Sequence, residues 1–190
     1  MANVARKITT SHLINQASTS VMYPGTSTPA FKATDFFSKC GKTGATGTIS
    51  MYGCPICCLA MFILYKGGLS NTSANIYEAV VEATKKGTNN DADFTGNGFT
   101  ASVGGKSISV SISTITDIGT EVQNGSICMA RMQKGNEFHY VIVDGWNESA
   151  TDLNKHLAAD PSGGVHTTLA AAMGTKYPGA SYITQRFKFS

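Results

Sequence analysis

One uninterrupted apolar run constrains this chain more than any other feature. Cys57 to Tyr65 reads Cys-Cys-Leu-Ala-Met-Phe-Ile-Leu-Tyr. Pro55 stands just ahead of it, suited to a first helical turn where its missing N–H costs nothing. Lys66-Gly67-Gly68 follows and stops it. A helix apolar on every side must lie at the centre of its domain, with other elements packed around it. At nine residues the run is far too short to span a bilayer, which takes about 20.

The rest of the chain supplies those other elements. Residues Ser73 to Lys86 carry an apolar face at Ile76, Ala79, Val80 and Ala83, and predict a second helix ended by Gly87. Beyond residue 100 the period changes from helical to alternating. Ala101 to Val103 and Ser107 to Ser113, joined through Gly104-Gly105, predict a hairpin. Ile115 to Gln123 predicts a short helix. Ile127 to Met132 and Phe138 to Gly145 predict buried strands joined by a turn over Gln133 to Glu137. Thr167 to Met173 predicts a short helix, and Ser181 to Phe189 a last strand. Helices first and antiparallel strands after define an α+β fold. Residues 1–47 read as an N-terminal extension packed on the same domain, with a short helix over Ile8 to Ala17 and loop over Ser18 to Ala33. Residues 48–190 form the main domain.

Composition removes several classes of function. Charged residues make up only 14% of the 190 residues and the net charge is +3. No Lys/Arg stripe with interleaved aromatics is present, which argues against a nucleic-acid partner. No secretory signal or membrane span is apparent, which predicts a cytoplasmic protein, or one released without such a signal. Gly41-Lys42-Thr43 has the ending of a phosphate-binding loop, but the full spacing requires Gly at 36, where Phe stands. Asn89-Asn90-Asp91-Ala92-Asp93 lacks the twelve-residue calcium pattern and reads as a solvated loop.

Five cysteines leave one unpaired whatever the connectivity, and Cys54, Cys57 and Cys58 crowd one helix turn, a poor disulfide framework. A reducing compartment or one working thiol is the simpler reading. Cys54 lies at the helix start, where free N–H groups and the positive end of the dipole favour a thiolate. Cys57 and Cys58 fall among apolar side chains, and Cys40 and Cys128 read as structural. His139 opens a very apolar strand. Asp160 precedes Pro161, which favours extended backbone, at the end of a segment, Leu157 to Ala159, able to pair beside that strand. Cys, His and Asp in this order are what a thiol hydrolase needs: nucleophile, proton carrier, and a carboxylate to orient the imidazole. Two rivals use the same cysteines. Cys54-x-x-Cys57 is half of a zinc site without its other half. Cys-Pro-Ile-Cys at a helix start is a dithiol redox pattern without the strong strand expected ahead of it.

At these residues the chain resembles the bacteriocin-processing cysteine peptidases and their wider papain-like superfamily. That family runs Cys-Gly-Pro, a small pair, then Leu-Ala-Met. Aligning Leu59-Ala60-Met61 puts Cys54 on the nucleophile. Asn124-Gly125-Ser126-Ile127-Cys128-Met129 resembles the segment before the histidine strand. His139-Tyr140-Val141-Ile142-Val143-Asp144-Gly145-Trp146 resembles the strand itself, and Asp160-Pro161 the family's Asp-Pro. The resemblance covers about residues 48–164. It implies a papain-like α+β domain, a Cys54–His139–Asp160 triad, no cofactor or metal, and cleavage of a peptide or isopeptide bond through a thioester. Two departures stand out. Pro55 replaces the Gly after the nucleophile. The family's oxyanion Gln, a few residues ahead of the cysteine, is absent: Thr48, Ser50 and Tyr52 stand there, and no Gln lies between Gln16 and Gln123. The Cys54 N–H then needs another donor, with those three hydroxyls as candidates; loss of one donor typically costs ~10²–10³ in rate. Trp146 is a candidate for the cleft wall or for the core. The family's leader-processing members are fused to membrane transporters; these 190 residues show no membrane span, and transporter-linked processing is not expected. A stand-alone chain fits a peptidoglycan stem-peptide hydrolase of a phage or bacterium, a peptidase acting on protein, or a transpeptidase. From another class, it fits a non-catalytic binding or virion protein that keeps the fold.

Overall fold

The computed structural model describes residues 2–190. It is an α+β protein built on a six-stranded antiparallel sheet. The elements run α1 (Phe36–Lys39), α2 (Ile49–Tyr52), α3 (Cys54–Gly67), α4 (Ser73–Gly87), β1 (Phe99–Val103), β2 (Lys106–Val110), β3 (Ile112–Thr114), α5 (Ile118–Gln123), β4 (Ile127–Lys134), β5 (Glu137–Trp146), β6 (His156–Asp160), β7 (Val165–Thr168), α6 (Leu169–Met173) and β8 (Ile183–Phe189). The sheet order is β3-β8-β4-β5-β6-β7, and β1-β2 forms a separate hairpin.

The alternation of β4 and β5 splits the core in two, because successive side chains leave a strand on opposite faces. Ile127, Met129, Tyr140 and Ile142 face α3, whose residues from Cys54 to Leu64 are all buried. Cys128, Ala130, Val141 and Val143 face the other way, onto α5 and α6. The fold is thus three layers, with the all-apolar helix on one face of the sheet. The hairpin turns through Gly104 and Gly105, both at positive φ (56° and 71°), as a tight two-residue turn requires. The alternating run Ser107 to Ser113 does not remain one strand. It breaks after Val110, and β3 joins β8 in the large sheet.

The expected helix over Ile8 to Ala17 does not form. Asp144, fully buried on β5, accepts hydrogen bonds from the N–H groups of Lys7 (2.9 Å) and Ile8 (2.7 Å), and Arg6 Nη1 lies 3.5 Å from its other oxygen. Val4 pairs with Trp146 on the same strand. A buried carboxylate needs donors, and here the N-terminal backbone supplies them, so these residues run as an irregular arm of bends and turns. Ile8, Ile14, Val21, Phe31, Phe36 and Phe37 continue the α3 side of the core. No helix among the described residues is long and apolar enough to cross a membrane.

Candidate active site

Cys54 is the first residue of α3, directly behind a sharp elbow. The short helix α2 ends at Tyr52, Gly53 connects, and α3 begins with Cys54 and Pro55. First-turn N–H groups have no partner inside the helix, so the sulfur sits at the donor-rich end of a 14-residue dipole. One turn on, the Cys58 thiol donates to the carbonyl of Tyr140 (3.5 Å). That contact ties the helix to β5 beside His139.

His139 lies near the start of β5, opposite Met132. Ala159 on β6 pairs with Ile142, so Asp160 falls beside Val141, on the same side of the sheet as His139. Cross-strand diagonal neighbours of this kind lie within side-chain reach. His139 Nε2 donates to Asp160 Oδ1 at 2.8 Å, and the same oxygen accepts from the N–H of Ser162 (2.8 Å). With Nε2 taken, Nδ1 is left for Cys54, which is within hydrogen-bonding reach of the ring. Burial disfavours a charged ring, but the hydrogen bonds and charges of Asp160 and Cys54 outweigh it. The imidazole is pushed up to about 9. The other cysteines behave differently. Burial raises the Cys57 and Cys58 thiols far up, Cys40 to about 11 and Cys128 to about 12. All five are unpaired and buried.

Of the three hydroxyl residues ahead of Cys54, Thr48 is buried, Ser50 Oγ accepts from Lys32 Nζ (2.9 Å), and Tyr52 is half-exposed. Gln16 is closer to the site than its place in the sequence suggests. Its backbone N–H donates to the carbonyl of Pro161 (2.9 Å), next to Asp160, and Nε2 donates to the carbonyl of Ser50 (3.2 Å), four residues before Cys54. Its Oε1 is buried with no partner. No sequence spacing signals this, because the arm carrying Gln16 is positioned by the distant Asp144.

Trp146 lies away from the site. It is seven residues beyond His139 on β5, or ~23 Å at strand rise. It packs on His156 (centroids 4.8 Å apart) and donates from Nε1 to Glu148 (2.7 Å). His156, His166 and His12 are likewise elsewhere: His166 Nε2 donates to the carbonyl of Ile8 (2.7 Å), and His12 Nδ1 accepts from the N–H of Thr9 (3.2 Å).

A cleft of about 560 Å³ lies at the head of α3, lined by chain neighbours of Cys54 and His139 and not by Cys54, His139 or Asp160 themselves. Tyr52 and Pro55, which flank Cys54, form one wall; Phe138 and Tyr140, which flank His139, form another; the Asn89–Asp93 loop borders the far side. No family model matches the chain, and neither a curated protein nor a solved structure matches it.

Proposed function

We propose that this protein is a papain-like cysteine peptidase, cleaving a peptide or isopeptide bond. The observation that carries the reading is one chain of contacts: Asp160 to His139 at 2.8 Å, and His139 to Cys54 at the head of a buried helix. The ring carries its proton at neutral pH, and the reacting form of a cysteine is its thiolate. Cys54 attacks the carbonyl carbon. His139 passes its proton to the leaving amine as the C–N bond breaks, leaving a thioester. Water then attacks the thioester, the ring takes its proton, and the thiolate is released with a carboxylic acid product. Asp160 holds the ring and its tautomer.

The tetrahedral oxyanion needs donors. The Cys54 N–H is one. Gln16 offers the second, since Nε2 uses one of its two protons on Ser50. In this reading Gln16 does from the N-terminal arm what the resembled family does from just before its cysteine.

The test compares wild-type protein and Cys54→Ala on purified cell walls and on casein. Amino groups released from either by the wild type alone support the peptidase, and the substrate that responds separates a wall hydrolase from a protein peptidase. Release from neither overturns the enzymatic reading in favour of a binding or virion protein.

A further inference from the structure

The floor of the cleft carries an arginine where the pattern of the sheet calls for an apolar residue. Ile127, Met129 and Arg131 leave β4 on the same face. The first two are buried against α3, and Arg131 emerges where the helix ends and the cleft begins. Across the sheet it lies between Tyr140 and Gln185, both also in the cleft. The register of β8 slips directly before Gln185, at Thr184, so Ile183 turns to the opposite core. A bulge of this kind re-aims side chains. The guanidinium lies over the rings of Phe138 (5.2 Å) and Tyr140 (5.9 Å). Stacking holds it in place without using its hydrogen-bonding edge. Its Nε is buried with no hydrogen-bond partner, and no carboxylate among the described residues pairs with it.

A buried guanidinium donor without an acceptor is costly, and a planar fork on an aromatic wall is suited to one partner above others, a carboxylate. The loop side of the same cleft holds Asp91 and Asp93, neither of them paired with a cation among the described residues. A purely anionic ligand would meet repulsion there. One that also carries an amine satisfies both walls.

We propose that the cleft selects a peptide segment bearing both a carboxylate and an amine, with Arg131 receiving the carboxylate and Asp91 and Asp93 the ammonium. This names the substrate class of the site and rests on the reading of the cleft as the place where peptide binds. Binding is tested without cleavage, in the Cys54→Ala protein, by calorimetry. The probes are capped tetrapeptides holding Glu and Lys in either order, with Gln replacing Glu or norleucine replacing Lys. Replacing Glu by Gln should weaken binding roughly ten- to hundredfold, the range of a charge-assisted hydrogen bond. Arg131→Gln should erase that difference, while Arg131→Lys, which keeps the charge but loses the fork, retains part of it. Asp93→Asn should lower only the preference for Lys. Equal binding of the Glu and Gln peptides, no binding of any, or a Glu preference that survives Arg131→Gln overturns the proposal. If the preferences appear but iodoacetamide modifies Cys54 no faster than Cys57 or Cys128, the peptidase reading falls and the binding site stands.

Discussion

His139 is under two opposing influences, and their balance makes a pH prediction. Burial favours the neutral ring; Asp160 and Cys54 favour the cation and prevail. Unfolded, the ring titrates near 6.5; folded, it titrates at about 9. The folded chain therefore holds a proton that the unfolded chain has lost between these values. The stabilisation is complete below about 6.5 and disappears as pH rises through about 9, a total of up to about 3 kcal/mol. Thermal unfolding of wild type and His139→Gln from pH 6 to 10 should show their difference shrinking across that window; a constant difference would contradict the ion pair. The same pair predicts thiol selectivity. At pH 7 iodoacetamide should modify Cys54 at least ~10²-fold faster than Cys57, Cys58 or Cys128, as located by mass spectrometry, because thiolate is the reacting form and burial keeps the others protonated. Asp160→Asn should keep the fold but lower turnover by ~10²–10⁴, since the imidazolium loses its carboxylate and its orientation.

The elbow between α2 and α3 is the element on which Cys54 depends. Gly53 packs so closely on the preceding turn that a Cβ would lie 2.5 Å from the carbonyl oxygen of Ile49 and 2.6 Å from its Cγ2. The nearest obstacle is backbone, which cannot swing aside. Gly53→Ala should therefore open the elbow, cost about 1–3 kcal/mol, and slow Cys54 alkylation, because the sulfur leaves His139. Denaturant unfolding and the alkylation rate check this together; an unchanged rate at unchanged stability would show that the elbow does not set the thiol. By contrast, β5 is held along its length by β4 and β6, so His139 and Asp160 keep their register through the sheet.

Across the whole molecule, the N-terminal arm links distant parts of the site. Asp144 holds the N–H groups of Lys7 and Ile8, and the arm then delivers Gln16 between Ser50 and Pro161. Asp144→Ala would leave those two N–H groups without their acceptor and remove the counter-charge of Arg6, which keeps its hydrogen bonds to the carbonyls of Ala158 and Thr167, costing about 3–5 kcal/mol. Hydrogen exchange should rise first over residues 4–16, and alkylation at Cys54 should then be measured against it. If residues 4–16 stay protected in the variant, the anchor lies elsewhere.

Local pattern sufficed for the parts of this molecule that repeat or border on glycine and proline. The apolar run predicted α3, buried apolar segments predicted β4 and β5, alternation predicted β8, and Leu157 to Asp160 lies beside the histidine strand because its residues suit an extended segment ahead of Pro161. Cys54, His139 and Asp160 were legible as candidates because a thiol at a helix start, an imidazole at a strand head and an Asp-Pro are visible one at a time. Their convergence was not, since it depends on strand register and on an elbow with no periodic signal. Nor were the irregular N-terminal arm, Gln16 or the unpaired Arg131. Each exists because residues more than a hundred positions apart, or on neighbouring strands, satisfy one another's buried charges and hydrogen bonds. Periodicity specifies which face of an element is apolar; only the packed chain specifies which polar groups meet once those faces are buried.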